Sequence, residues 1–382
     1  MGFIIIIFII IAIILSINIK YVIYEKNIEN KAPEYSLGDW YYSSLTYKEQ
    51  LLYKEIVRAA EKINKNSRIL PYAYTIEEFA KIKKAIYNDR ANLFYLNINE
   101  TELYGNKQKS QVKLVYYDTK SNIKNMIKKF NEAVNKIINN IGDKSEFEND
   151  FDIEVAIHDY LILHIKNAAN SFYMIDNPFT NTVYGALVNN SALSGGYSMA
   201  FKLLMNKYDL VTYIINGEAN GKPHTWNMVY INQAYFHVDV TLNDGDLAFA
   251  ENLLFHSYFN LSSAAIMEDH VYEQADVPAA YTENNYYNIK NLYISDLEDL
   301  SLKINGIILK AGKESKNYIE LYTNFGKDVY ESESFSEVII YAIKRVNENN
   351  LGFIFNEAFR IYRAAVNRNI LTIQLYYKDI SK

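Results

Sequence analysis

Three side chains in the middle of the chain could together carry out acyl transfer: Ser194, His224 and Asp239. A hydroxyl that attacks a carbonyl needs a base to take its proton, and the imidazole base needs a carboxylate to hold its tautomer. Ser194 stands in a run rich in Gly, Asn and Ser, Val188-Asn-Asn-Ser-Ala-Leu-Ser194-Gly-Gly-Tyr197. The run leads into a helix predicted from the stripe Tyr197, Phe201, Leu204, Met205 and Tyr208. A nucleophile at a helix start lies beside backbone N–H groups that stabilise an oxyanion. Gly195 and Gly196 remove side chains there and let a substrate approach closely.

His224 opens a predicted strand through Thr225–Ile231, and Asp239 falls within the next, Tyr235–Leu242. If the connection around Asn232-Gln233 has two residues, positions 224 and 241 pair, and 239 is the diagonal neighbour on the same face. Diagonal neighbours lie ~7–8 Å apart at Cα, within reach of a His–Asp hydrogen bond. A loop of odd length reverses the parity and breaks the contact.

Each of these residues also has a plainer role. Ser194 could be a helix N-cap, worth ~1 kcal/mol. His224 and Asp239 could be a hydrogen-bonded pair that satisfies two half-buried polar groups, and His237 alternates onto the Asp239 face as a rival partner. Trp226 reads as a core or cleft-wall residue more than as a substrate platform. His158, His164, His256 and His270 make no metal-ligand spacing, so neither a metal nor a cofactor is expected. The sequons at Asn99, Asn189 and Asn260 follow from the abundance of Asn.

The elements that must position these groups are legible in part. Apolar residues at helical spacing predict helices over 46–64 (Leu51, Leu52, Ile56, Val57, Ala60, Ile63), 76–87 (Phe79, Ile82, Ala85, Ile86) and 121–141 (Ile123, Ile127, Phe130, Val134, Ile137, Ile138). A fourth spans 151–165, through Val155, Ile157, Tyr160 and Leu161. Val112–Tyr117 is a strand candidate, as is Val211–Ile215. After about residue 276 a smaller α/β segment follows, with a helix at Val338–Val346 and a strand at Ile370–Tyr377.

With 382 residues, 49% apolar and 22% charged, the chain has room for two or three domains and excludes wholesale disorder, collagen or a multi-span membrane protein. Lys+Arg of 39 against Asp+Glu of 45 gives a net charge of −6, which argues against nucleic acid as a partner. The absence of cysteine removes disulfides, thiolate metal sites and any thiol nucleophile. The 35 tyrosines against 2 tryptophans fit an AT-rich coding bias, with an aromatic binding surface as the alternative.

Phe3 to Ile19 carries no charge and, at 1.5 Å per residue, approaches the ~30 Å of a bilayer's hydrocarbon core. It lacks a basic start and a small-x-small cleavage site, so an uncleaved single-span anchor is expected. Lys20, Lys26 and Lys31 follow the span and no Lys or Arg precedes it, a pattern that by itself favours a cytoplasmic body.

The segments Val183-Tyr-Gly-Ala-Leu, Ala192-Leu-Ser194-Gly-Gly-Tyr197, His224-Thr-Trp-Asn227 and Phe236-His-Val-Asp239-Val-Thr241 together resemble the core of bacterial transglutaminase-like proteins. The resemblance extends upstream through Ala156-Ile-His-Asp-Tyr160 and downstream through Tyr258-Phe-Asn-Leu-Ser262 and Asp269-His270. It implies a papain-like fold and a Cys-His-Asp triad, with His224 as base and Asp239 as orienting acid. Ser194 stands where the family has its cysteine, and Leu242 where the family has a Trp. Members of this layout are often held at a bacterial cell surface, which implies an extracytoplasmic body.

The expected fold is α+β. A transmembrane anchor (1–24) and a linker (25–39) precede an N-terminal helical and α+β region (40–144), a papain-like transglutaminase core (145–275) and a C-terminal α/β domain (276–382). The expected function is a catalytically degenerate cleft that binds a protein, peptide or cell-wall component, with the membrane as a further partner through the N-terminal helix. The alternatives are an active Ser-His-Asp acyltransferase or amidohydrolase acting on peptide or glutamine amides, and a purely structural surface protein.

Overall fold

The computed structural model describes residues 39–170, 177–244, 254–274, 277–282, 285–348, 352–363 and 369–378. The expected anchor, and the linker up to residue 38, lie outside the described residues. Among the described residues no helix is long and apolar enough to cross a membrane. The architecture is α+β. It divides into two compact units, one running to Gln233 and rejoined by Asp269–Val277, the other comprising Ala234–Glu268 and Pro278–Lys382.

The first unit begins with helices α1 (Trp40–Ser43), α2 (Tyr47–Glu61) and α3 (Ile76–Asp89). Two local signals start α2 and α3. Thr46 and Thr75 each accept from the backbone three residues on, while Glu49 and Glu78 reach back to the cap amide. Each helix buries the stripe that its spacing predicts, Leu51, Leu52, Ile56, Val57 and Ala60 in α2, and Phe79, Ile82, Ala85 and Ile86 in α3. The hairpin β1 (Glu102–Asn106) and β2 (Lys109–Lys113) follows. The strand expected over 112–117 is displaced, because Leu114 donates to Lys65 O and Val115 O accepts from Asn97, an irregular pairing that ends the ladder. Next come α4 (Lys120–Ile141) and α5 (Asp150–His164).

Short strands β3 (Lys166–Asn167) and β4 (Ser191–Ala192) pair in parallel around helix α6 (Val183–Leu187). Helix α7 (Ser194–Lys207) leads to the antiparallel strands β5 (Thr212–Ala219) and β6 (Lys222–Ile231). Asn220 and Gly221 join them, both with left-handed backbone, at φ 50° and 72°, as a two-residue hairpin turn requires.

The second unit opens with β7 (Ala234–Val238) and the short helices α8 (Val240–Asn243) and α9 (Ser263–Ile266). The chain then returns to the first unit as β8 (His270–Tyr272), antiparallel to β5. The rest of the second unit comprises α10 (Tyr286–Ile289), β9 (Tyr293–Ile294), α11 (Leu297–Lys313), β10 (Tyr318–Thr323), α12 (Lys327–Tyr330), α13 (Glu333–Glu348), β11 (Phe355–Arg363) and β12 (Ile370–Tyr377). Its sheet runs β11-β12-β10-β9, antiparallel except for the β10–β9 pair. Ile304 and Ile308 of α11 and Ile339 and Ile343 of α13 form one core with Leu321, Ile373 and Leu375 of that sheet.

Candidate functional site

Ser194 is the first residue of α7 and not its cap. The backbone turns helical one residue earlier than the Ser-Gly-Gly pattern suggests, so extended Leu193 (φ −92°, ψ 177°) holds the N-cap position without any side-chain cap. Leu193 is itself pinned by its amide to Thr180 O at 2.9 Å. Its carbonyl accepts from Gly196 and Tyr197, while among the described residues the Ser194 and Gly195 amides donate to no acceptor. An uncapped helix start of this kind leaves donors directed at whatever sits beside the Ser194 hydroxyl.

The two glycines differ. A Cβ on Gly196 would stand 2.6 Å from Thr180 O and 3.0 Å from Thr182 O, so this position is bare for packing, not for substrate approach. A Cβ on Gly195 would instead meet two side-chain polar atoms, Tyr87 Oη and Asn181 Oδ1, each at 3.1 Å.

Helix α7 is tied to the histidine strand through Ser198. Its Oγ lies 2.8 Å from Ser194 O and 2.9 Å from Thr225 O, so one hydroxyl spans the nucleophile position and the residue after His224. Asn227 adds a second tie, donating to Ser198 O at 3.0 Å and Tyr213 O at 3.2 Å. Deeper in α7, Lys202 is buried against α3, donating to Asn88 O at 2.9 Å with Asp89 at 3.5 Å. Burial pushes the Asp89 carboxyl up to about 6 and the Lys202 ammonium down, and their mutual attraction opposes both shifts.

His224 is half-buried at the start of β6. Strand register pairs it with Gly217, which pairs on its other side with Tyr272, while Ala219 pairs with His270. With period-2 alternation, His224, Trp226, Tyr272 and His270 project from one face of this sheet. Gly217 is the bare position among them. A Cβ there would stand 2.9 Å from the Trp226 ring and 2.2 Å from Val271 O. Trp226 fills that space, fully buried, with its ring centroid 4.7 Å from that of His270. It is a core residue, as its sequence context implies, and it offers no exposed platform.

His270, marked in the sequence only by the Asp269-His270 resemblance, has its ring centroid 5.8 Å from that of His224, and ring nitrogens of the two approach within 4.8 Å. Asp269 holds the His270 Nδ1 at 2.5 Å. No sequence signal links residues 46 positions apart; the β5–β8 register does.

Asp239 belongs to the second unit. It does not lie within a strand: β7 ends at Val238, and Asp239 caps α8, its Oδ1 accepting from Leu242 N at 3.0 Å. It is fully buried, and its amide donates to Tyr258 O. His237 turns to Ser263, with Nε2 and Oγ 3.3 Å apart. The remaining histidines have local partners: His158 with Asp159 at 2.9 Å, His164 with Tyr160 O at 2.8 Å, and His256 with Glu320 at 2.7 Å.

No family model and no curated protein matches the chain. Three solved structures are similar to parts of it. A TGase shares 14% identity over 50% of this chain and 53% of its own, with a TM-score of 0.27. A Cytophaga hutchinsonii protein provisionally described as a cysteine protease shares 9% over 48% of this chain and 70% of its own, with a TM-score of 0.27. A Parabacteroides distasonis protein provisionally described as a protease shares 5% over 72% and 62%, with a TM-score of 0.24. The chain spans about half the length of the first of these.

Proposed function

We propose that this is a membrane-anchored, transglutaminase-like protein of papain-like fold. Its cleft, around Ser194 and His224, binds a protein, peptide or cell-wall component outside the cytoplasm without turning it over. The carrying observation is the Ser198 hydroxyl, which joins the start of α7 to the residue after His224. The motifs around Ser194, His224 and Asp239 support the same reading.

Inactivity follows from the chemistry of oxygen. A cysteine in such a place can drop below a pKa of ~7.5 and rest as a thiolate beside an imidazolium. A serine hydroxyl is too weak an acid for that state and must lose its proton during the attack. A seat shaped for sulfur and its longer bond holds oxygen badly, and ~1 Å of misplacement costs ~100-fold in rate.

The free Ser194 and Gly195 amides favour a second reading, an active serine acyltransferase or amidohydrolase in which they hold the oxyanion. Fluorophosphonate labelling separates the two. The degenerate cleft predicts no adduct on Ser194, and a mapped adduct that disappears in Ser194→Ala would establish the active enzyme instead. In Ser194→Cys the introduced thiol should react with iodoacetamide faster than a free thiol at neutral pH. Ordinary reactivity would argue against a base at His224 that serves the introduced thiol.

A further inference from the structure

We propose that the cavity between α3, the segment 91–99 and Met199 of α7 selects the ligand by taking a small aliphatic side chain, and that the Tyr87 hydroxyl holds the carbonyl of that same residue. The proposal deepens the cleft reading above and rests on it.

The cavity measures about 50 Å³. A single water needs about 10–15 Å³ on this scale, so there is room for about three or four heavy atoms and none for an aromatic ring. Ala91, Leu96 and Ile98 form apolar wall, and Met199 of α7 and Thr182 also line the cavity. Arg90 at the edge is already committed, at 3.0 Å to Asp39 and 3.1 Å to the Tyr53 hydroxyl. Asn99 and Tyr117 add neutral polar groups but no charge, so a charged ligand group would lose its water without gaining an opposite charge, which leaves a small neutral, mainly aliphatic group as the fitting occupant.

Tyr87 connects this cavity to the nucleophile position. It lines the cavity, while its hydroxyl reaches the space that a Gly195 side chain would fill, one residue from Ser194. Thr182 is shared in the same way, since its carbonyl stands over Gly196. Among the described residues the Tyr87 hydroxyl has no hydrogen-bond partner. Burial pushes its pKa up to about 12, so it remains a neutral donor at physiological pH. A carbonyl oxygen is the natural acceptor for a lone O–H beside an apolar pocket.

The test uses the full chain carrying Ser194→Cys and a series of N-acetyl aminoacyl chloromethyl ketones with Gly, Val, Leu, Phe and Lys side chains. The thiolate displaces chloride and forms a thioether, so the rate reads how well each probe is seated. Methyl methanethiosulfonate, which has neither side chain nor carbonyl, gives the baseline. The Val or Leu ketone should react about 10-fold or more faster than the Gly, Phe and Lys ketones, the discrimination expected of a small apolar pocket. Adding Ala91→Leu, which narrows the cavity, should erase the preference among the ketones when each rate is taken as a ratio to the methyl methanethiosulfonate rate of the same variant. Adding Tyr87→Phe should slow every ketone about 10-fold relative to methyl methanethiosulfonate on the same variant, as loss of one hydrogen bond predicts. Equal rates across the series, or a preference that survives Ala91→Leu, would overturn the pocket alone. A thiol inert to both reagents would overturn the cleft reading and the pocket with it.

Discussion

Helices α7 and α11, one from each unit, are of similar length and built on opposite principles. Helix α11 is capped by Asp296, which accepts from Asp299 N at 2.9 Å, and buries one stripe, Leu300, Ile304, Ile308 and Ala311. Its charges pair at the surface, as Lys303 does with Asp299 at 2.9 Å. Helix α7 has no side-chain cap, is buried from Gly195 to Lys202 and again at Leu204 and Met205, and carries a lysine inside. The local devices that would stabilise α7 by itself are missing where its amides face the candidate site. Tertiary packing holds it in place instead, which is the pattern expected of an element shaped by a site.

The sharpest way to break this contrast is to neutralise one lysine in each helix. Lys202→Met leaves Asp89 buried without its cation and should cost the first unit about 3–5 kcal/mol. Lys303→Met removes a half-buried pair at the helix surface and should cost under about 1 kcal/mol. Both tryptophans, Trp40 and Trp226, lie in the first unit, so their fluorescence in urea follows its unfolding. Hydrogen exchange at β10 and β12 amides follows the second. Equal costs would dissolve the distinction, and adding Asp89→Asn to Lys202→Met should recover part of the loss.

A smaller effect is expected from pH. The Asp89 carboxyl is raised to about 6 from 3.8, so folding disfavours its charged form. Below about pH 4 the group is protonated in both states and costs nothing. Between about pH 4 and 6 the unfolded chain ionises first, so stability falls as pH rises and stays lowered above 6. The first unit should therefore gain stability relative to an Asp89→Asn variant when pH drops from 7 to 4, by roughly 1–3 kcal/mol. A relative loss on acidification would show that Lys202 dominates the pair.

The smallest effects concern the caps. Asp296→Ala should cost α11 about 1 kcal/mol. Leu193→Asp should instead stabilise α7, by up to about 1 kcal/mol, while slowing iodoacetamide labelling in the Ser194→Cys background, because the new carboxylate occupies the helix amides. A gain in stability with unchanged labelling would mean that those amides play no part in the site.

Much of the helical framework could be read from apolar spacing alone. The stripes of α2 and α3 are buried as predicted, and β12 spans the residues expected of it. Short polar side chains account for part of what was misread. Asp239-Val-Thr-Leu alternates like a strand, yet the carboxylate bonds the Leu242 amide and turns the chain into α8, a local competition invisible to periodicity. Ser194 looks like a cap because serine favours that role, but the dihedral switch falls on Leu193. Tyr87 had no signal, and His270 only its place in the Asp269-His270 resemblance, since each reaches the site region through long-range packing. The Ser198 bridge was equally hidden, because a serine within a helix usually bonds its own turn.

The return of the chain as β8 has a consequence for synthesis on the ribosome. Strands β5 and β6 emerge early, but their third partner is delivered only after Ala234–Glu268, which belong to the other unit. The growing polypeptide must therefore leave an edge of its sheet open for several dozen residues, while His270 is still to be made. Vectorial folding cannot finish one unit before beginning the other. Any nascent-chain factor that shields exposed strand edges would be needed most during that interval.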